Sequence, residues 1–205
     1  MAAATTSPRA AERAKAVTRG ASTRLAILGR GVDLASVEGL EALSIGRLAG
    51  ELEMSKSGLF AHFGSKQELQ LAIVEAATGR FREAVVDPVL EVPDGGERLR
   101  AMASAYISHL ESNCYSGGCF WAATSTEYDD RPGPVRDAIA TALDAWLGEL
   151  ERQARIAGAA EPERLAFELY ALVMGANSRF RLAGDRRVFA YARDSAEALL
   201  AELPR

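Results

Sequence analysis

The chain has 205 residues, of which 48% are hydrophobic and 25% charged, with a formal net charge of −4. That is enough length to bury a sizeable core in one or two domains, and abundant Ala and Leu with only seven Pro favour helices, so an all-α protein is expected. No run of eighteen apolar residues exists and the opening MAAATTSPRA lacks an apolar signal core, which points away from membrane and export and toward the cytoplasm; the two cysteines, Cys114 and Cys119, are too few for a disulfide framework and read as free thiols.

In chain order, residues 1–20 come first, with Arg9, Arg13, Lys15 and Arg19 set among Ala and Thr. This segment reads as a flexible N-terminal arm or as an extension of the first helix; as an arm it has the charge to touch a DNA backbone or minor groove. Charge is unevenly divided. Residues 1–70 carry nine Lys and Arg against seven Asp and Glu, and the remainder carries fifteen against twenty-one. The overall deficit argues against phosphate contact, whereas a mildly basic leading segment ahead of an acidic body is compatible with it.

The segment 44–66, SIGRLAGELEMSKSGLFAHFGSK, reads as two short helices joined by a tight turn. Ser44 is placed to cap a helix in which Ile45, Leu48, Ala49 and Leu52 recur at helical spacing, and residues 51–54 form the turn. Ser55 caps a second helix whose Leu59 and Phe63 face the core, leaving Lys56, Ser57, Gly58, Phe60 and His62 toward the outside. Ser65, with Glu68 three residues on, has the capping-box pattern and opens a third helix.

These residues carry a resemblance. With Ile27 and Leu28 on a first helix, Gly39 ending it, then Ser44, Ile45, Leu48, Ala49, Met54, Ser55, Lys56, Leu59, Phe60, His62, Phe63, Ser65, Lys66 and Leu69, the stretch 23–69 resembles the DNA-binding domain of the TetR family of transcriptional repressors. The resemblance implies a helix-turn-helix domain at 21–66 and a helical effector-binding and dimerisation domain at 67–205, about nine helices in all. It implies double-stranded DNA with a palindromic operator as partner, a homodimer, and no cofactor. Lys56, Ser57, Gly58 and His62 are expected at the major groove, beside Ser55 at the start of their helix. Ser44, Arg47, Phe60 and Lys66 are expected on the DNA backbone. Two departures from the family stand out. Phe60 stands where a Tyr usually offers its hydroxyl to a phosphate, and Arg30, Gly31 and Ala35 replace the usual small and aromatic residues of the first helix, which implies looser packing there.

A long helix is expected from Ser65 to about residue 87, broken by Pro88 and by the PDGG at 93–96. Helices follow at about 98–113, 118–128, 132–157, 161–182 and 186–203, with Pro134 and Pro162 near helix starts. The resemblance implies a pocket in this body for a small, largely apolar effector, and Met102, Tyr106, Phe120, Trp121, Phe167, Tyr170, Met174 and Asn177 are its candidate wall. Most such residues are simply core. Asn177 and Arg181, four apart on one helix, either anchor a ligand or face solvent.

Tyr115–Trp121, YSGGCFW, places two glycines ahead of an aromatic pair, for a close helix approach or a pocket wall. Cys119 beside a helix start admits a thiolate, but a buried structural thiol is the plainer reading. With only His62 and His109 available, no pair has zinc-ligand spacing, and no metal is expected. The last two helices carry apolar residues on more than one face, with Ala166, Ala171, Gly175 and Ala176 permitting close approach, either across a dimer axis or within the monomer's core. Catalytic residues are expected to be none: Glu127, Asp129 and Asp130 cluster beside Tyr128 as a helical-bundle enzyme would need, yet an exposed acidic loop explains them. A protein-binding adaptor that lacks a DNA role is the remaining alternative, supported by Phe60 and the weak positive charge.

Overall fold

The structure, a computed structural model, describes residues 8–204, and of residues 8–19 the backbone alone. Among the described residues it is all-helical: α1 (Pro8–Glu38), α2 (Ile45–Glu51), α3 (Lys56–Phe63), α4 (Lys66–Phe81), α5 (Gly96–Glu111), α6 (Phe120–Glu127), α7 (Pro134–Ile156), α8 (Pro162–Ala183) and α9 (Arg187–Leu200). Of the segment expected as an N-terminal arm, residues 1–7 and the side chains of Arg9, Arg13, Lys15 and Arg19 lie outside the described residues. From Pro8 its backbone continues α1 as helix.

Local chemistry sets the short elements. Gly39, at φ +88°, stops α1, a left-handed conformation that glycine adopts without a Cβ penalty. Ser44, Ser55 and Ser65 each accept a backbone N–H three residues on, from Arg47 (3.1 Å), Gly58 (3.0 Å) and Glu68 (3.1 Å), so every helix of the head starts on a side-chain cap. Between α2 and α3 the chain turns through Glu53 at φ +53°, and the Met54 N–H returns to the Ala49 carbonyl at 2.9 Å. Leu48, Ala49, Leu59 and Phe63 are buried against α1 and α4. The first helix is not loosely packed. A Cβ at Gly31 would collide with the Ile73 side chain of α4, which fills the space that a larger residue would take, and Ala35 is fully buried.

α4 serves both halves, packing on α1 with one face and on α7 with another. It runs into one π-helical turn at Arg82–Val86 and a 3-10 turn at Asp87–Val89, which contains Pro88 near its start. At the far end of α4, Phe81 stands edge-on to Tyr106 (4.8 Å between ring centroids) and Trp146 (5.0 Å), with Trp121 at 6.5 Å, forming the aromatic centre of the body. The link ahead of α5 is stitched to α7 by the buried Gln153, which accepts from the Gly95 N–H (2.6 Å) and donates to Asp94 (2.8 Å).

The glycine pair of the α5–α6 loop serves close approach. The Ser116 N–H and hydroxyl both donate to the Asp33 carboxylate of α1, at 2.9 and 3.0 Å, and the Gly117 N–H donates to the Ser36 hydroxyl at 2.9 Å. A Cβ at Gly117 would fall on the Ser36 carbonyl itself, and Gly118, at φ +89°, lies under the stem of Arg181 from α8. Gly117→Ala must therefore push the loop off α1, and about 1–3 kcal/mol of stability is expected to be lost, as for other overpacked sites. Urea unfolding of the two proteins measures it; an unchanged midpoint would mean that the loop does not sit this tightly.

Candidate functional site

α3 stands at the outside of the head with Leu59 and Phe63 buried beneath it and Lys56, Ser57 and Phe60 exposed above. Phe60 is 51% exposed. The ring stands open to solvent and carries no hydroxyl. Ser44, Ile45, Gly46, Lys56, Ser57 and Phe60 line one shallow depression where the start of α2 meets the start of α3. The Lys56 stem lies over Gly46, and among the described residues its ammonium has no ion-pair partner. His62 sits at the C-terminal end of α3, half-buried, its carbonyl accepting from Arg24 at 2.8 Å. Six of the expected contact residues thus gather on one face: Ser44, Lys56, Ser57, Phe60, and with them the cap Ser55 and Gly58.

Arg47 and Lys66, expected on the DNA backbone, each hold ion pairs within the head. Arg47 is clamped between Glu38 (2.6 Å) and Glu51 (2.7 Å), and Glu51 also receives Arg30. Lys66 gives its ammonium to the Glu41 carboxylate and to the Glu41 carbonyl, both at 2.6 Å. Two of its three donors are taken, and the pair ties the α1–α2 loop to the start of α4.

That loop is held from the body as well. The Glu127 carboxylate at the end of α6 accepts the Leu40 N–H at 2.7 Å and the Glu41 N–H at 3.1 Å, and it lies where a Cβ on Gly39 would have to go. Gln70 of α4 donates to the Leu40 carbonyl (3.0 Å) and to Glu41 (3.1 Å), and the Tyr128 hydroxyl reaches the same Glu41 oxygen at 3.1 Å. The expected exposed acidic loop is therefore in part a joint between head and body. Glu127, Gln70 and Tyr128 belong to it, and nothing in local sequence spacing marks contacts that cross from 29 to 87 residues. Among the described residues no group of His, Cys, Asp and Glu is arranged to hold a metal ion.

In the body the candidate effector residues divide. Met102, Tyr106, Phe120 and Trp121 are buried in close-packed core: the rings of Tyr106 and Trp121 stand around Phe81, and the Tyr106 hydroxyl meets Cys119 Sγ at 3.4 Å. Side chains that fill the space between helices leave no wall for a ligand. Phe167 lies elsewhere, 64% exposed on an apolar groove along the outer faces of α8 and α9. Tyr170, Met174 and Asn177 do line a hollow, between α6 and α8, together with Cys119, Ala122 and Arg181. Burial pushes the Cys119 thiol up, and burial together with the neighbouring Cys119 pushes Cys114 up to about 12. Neither is an activated thiolate, because desolvation outweighs any help from the start of α6.

Comparison with known proteins follows this division of the chain. Residues 27–73 match the family described as "Bacterial regulatory proteins, tetR family", and residues 95–196 match "Tetracyclin repressor-like, C-terminal domain". Among solved structures, a TetR transcriptional regulator from Chloroflexus aurantiacus J-10-FL superposes with a TM-score of 0.83 at 21% identity, over 91% of this chain and 98% of that one. A TetR-family regulator from Cytophaga hutchinsonii gives 0.77 at 22% identity, over 90% and 96%. AibR, solved with isovaleryl coenzyme A and operator DNA, gives 0.68 at 24% identity, over 88% and 97%. No curated protein matches significantly.

The head–body joint has a pH signature. Hydrogen bonds from Lys66 first, then Gln70 and Tyr128, outweigh desolvation and hold the Glu41 carboxyl at about 2 against an ordinary 4.5. A folded-state value below the unfolded one stabilises above pH 4.5 and is lost as pH falls toward 2. Because Glu41 is 43% exposed, solvent screening holds the contribution to about 1 kcal/mol or less. Wild type is expected to lose more stability between pH 6 and pH 3 than Glu41→Gln does, read from urea midpoints; equal losses would show that Glu41 is not held this way.

Proposed function

Because the chain belongs to the TetR family of transcriptional regulators, we propose that it is a dimeric repressor that reads a palindromic operator and whose operator affinity is changed by a small, largely apolar effector bound in the body. A protein with that role works in the cytoplasm, where its DNA lies. The observation that carries the reading is the outward face of α3. Leu59 and Phe63 root this helix in the head while Lys56, Ser57 and Phe60 stand exposed together, the arrangement needed to enter a major groove. Lys56 supplies the charge attracted to phosphate, since it has no ion-pair partner among the described residues. Phe60 packs on sugar and phosphate without donating a hydrogen bond. Arg47 and Lys66 act by holding the head's shape.

One eight-residue helix reads only a few base pairs, and a second head is needed for affinity and register. The α8–α9 face supplies the surface for a second copy. Phe167 and Tyr191 are 64% and 57% exposed there, around a groove of about 740 Å³ with Ala171, Gly175 and Ala192 small enough for helices to approach closely. A patch of this kind marks an interface. Two copies joined through it would present their α3 helices to successive major grooves, roughly 34 Å apart.

Selection from a pool of random duplexes at two salt concentrations tests the reading. A palindrome is expected, bound with a steep salt dependence that flattens by about one unit of log–log slope in Lys56→Ala. Lys66→Ala is expected to leave that slope unchanged and to lower stability instead. No enriched sequence from folded protein would overturn the proposal. For the dimer, Phe167→Asp buries a charge at the groove and is expected to weaken self-association by at least about tenfold in sedimentation; wild-type protein that sediments as a monomer at micromolar concentration would contradict it.

A further inference from the structure

The hollow between α6 and α8 is open to solvent on one side and has a volume of about 640 Å³, within the range of small-molecule sites. Its α8 wall is one stripe, Tyr170, Met174, Asn177 and Arg181, at the three- and four-residue spacing that puts side chains on one face. Asn177 is only 6% exposed, yet its amide has no hydrogen-bond partner among the described residues. The amide is open to the hollow and to little else, so its donors and acceptor are left to whatever occupies that hollow. The Tyr170 hydroxyl is likewise without a partner there. The Ser125 and Thr126 hydroxyls on the α6 side do not compete, being turned back onto the Trp121 and Ala122 carbonyls at 2.6 and 3.1 Å.

Charge selects the ligand further. The lining carries one ionised side chain, Arg181, and no carboxylate. Arg181 uses one nitrogen on the Ser116 carbonyl at 3.2 Å, which leaves further donors of its planar fork toward the hollow. Met174 lies on the same stripe, and Ala122 and Ala123 of α6 line the hollow from the other helix. We infer that this hollow binds a small organic acid, its apolar body against Met174 and the α6 alanines and its carboxylate between Asn177 and Arg181. The inference rests on the regulator reading above and names the chemistry of its effector.

The same arginine connects the site to the head. Arg181 holds Ser116, Ser116 holds Asp33 of α1, Asp33 pairs with Arg30 at 2.6 Å, and Arg30 pairs with Glu51 at the end of α2. A carboxylate that draws Arg181 into the hollow takes it from the Ser116 carbonyl and loosens this chain at its first link.

Calorimetric titration of the full protein with octanoate and 4-phenylbutanoate, each beside its alcohol and its amine, tests the site. At least one acid is expected to bind about tenfold or more tightly than its alcohol, with the amine weakest, since a carboxylate gains charge-assisted hydrogen bonds that the others lack. Arg181→Met is expected to abolish the preference for the acid, and Asn177→Leu, of similar volume, to weaken the acid by at least about fivefold while helix content stays unchanged by circular dichroism. Equal binding of acid, alcohol and amine overturns the inference, as does acid binding that survives both substitutions, or no acid binding below 10 mM (on the order of the weakest affinity such contacts should give). If neither acid binds while the same preparation still selects a palindrome, the inference fails and the regulator reading stands; if an acid binds but no palindrome is selected, the site stands and the regulator reading fails.

Discussion

The structure turns on one carboxylate. Glu127, at the end of α6, accepts the backbone N–H groups of Leu40 and Glu41, just beyond the glycine that ends α1. Leu40 is fully buried, and a buried N–H beyond a helix end has neither water nor a helical carbonyl to receive it, so an acceptor must come from elsewhere in the fold. An ionised carboxylate forms the stronger kind of hydrogen bond. By supplying it from the body, the chain makes correct placement of the reading head depend on α6. Glu41 then carries the tie on to Lys66, Gln70 and Tyr128, which brings α4 into the same joint.

A second connection runs alongside, from Arg181 through the α5–α6 loop to Asp33 and onward by Arg30 to Glu51. The head is thus fastened to the body at the far end of α1 and along its length, with α4 between. A head so fastened does not swing freely. A change in its placement requires one set of polar contacts to give way, and a bound molecule drives such a change only to the extent that it prefers the altered arrangement. Both connections are polar and partly solvent-exposed, which makes them cheaper to exchange than the aromatic centre around Phe81 that they flank.

Local rules make much of this legible in the sequence. Ser44, Ser55 and Ser65 cap helices because a serine ahead of an apolar-periodic run has few better uses, and Gly39 ends α1 for the same kind of local reason. The all-α class, the helix-turn-helix and the family follow from such spacing. What spacing cannot show is the partner of a charge. Arg47 and Lys66 look like phosphate ligands by position; Glu51 stands four residues from Arg47 on the same helix, but only the fold brings Glu38 to Arg47 and Glu41 to Lys66. Aromatic residues are equally ambiguous: Tyr106 and Trp121 are core while Phe167, no more apolar, stands outside, because helix rotation decides what periodicity alone leaves open. Asn177 is the reverse case. Its helix spacing leaves it between solvent and pocket, and burial without a partner is what separates the two.

Amide hydrogen exchange in wild type and Glu127→Ala tests the joint most directly. In wild type the Leu40 and Glu41 amides are expected to exchange slowly, and in the variant at least about tenfold faster, as loss of a charge-assisted acceptor should allow, while Leu169 and Val173 in the middle of α8 stay as they were. Leu40 and Glu41 amides that exchange rapidly in wild type, or at the same rate in both proteins, would show that Glu127 does not hold the head to the body.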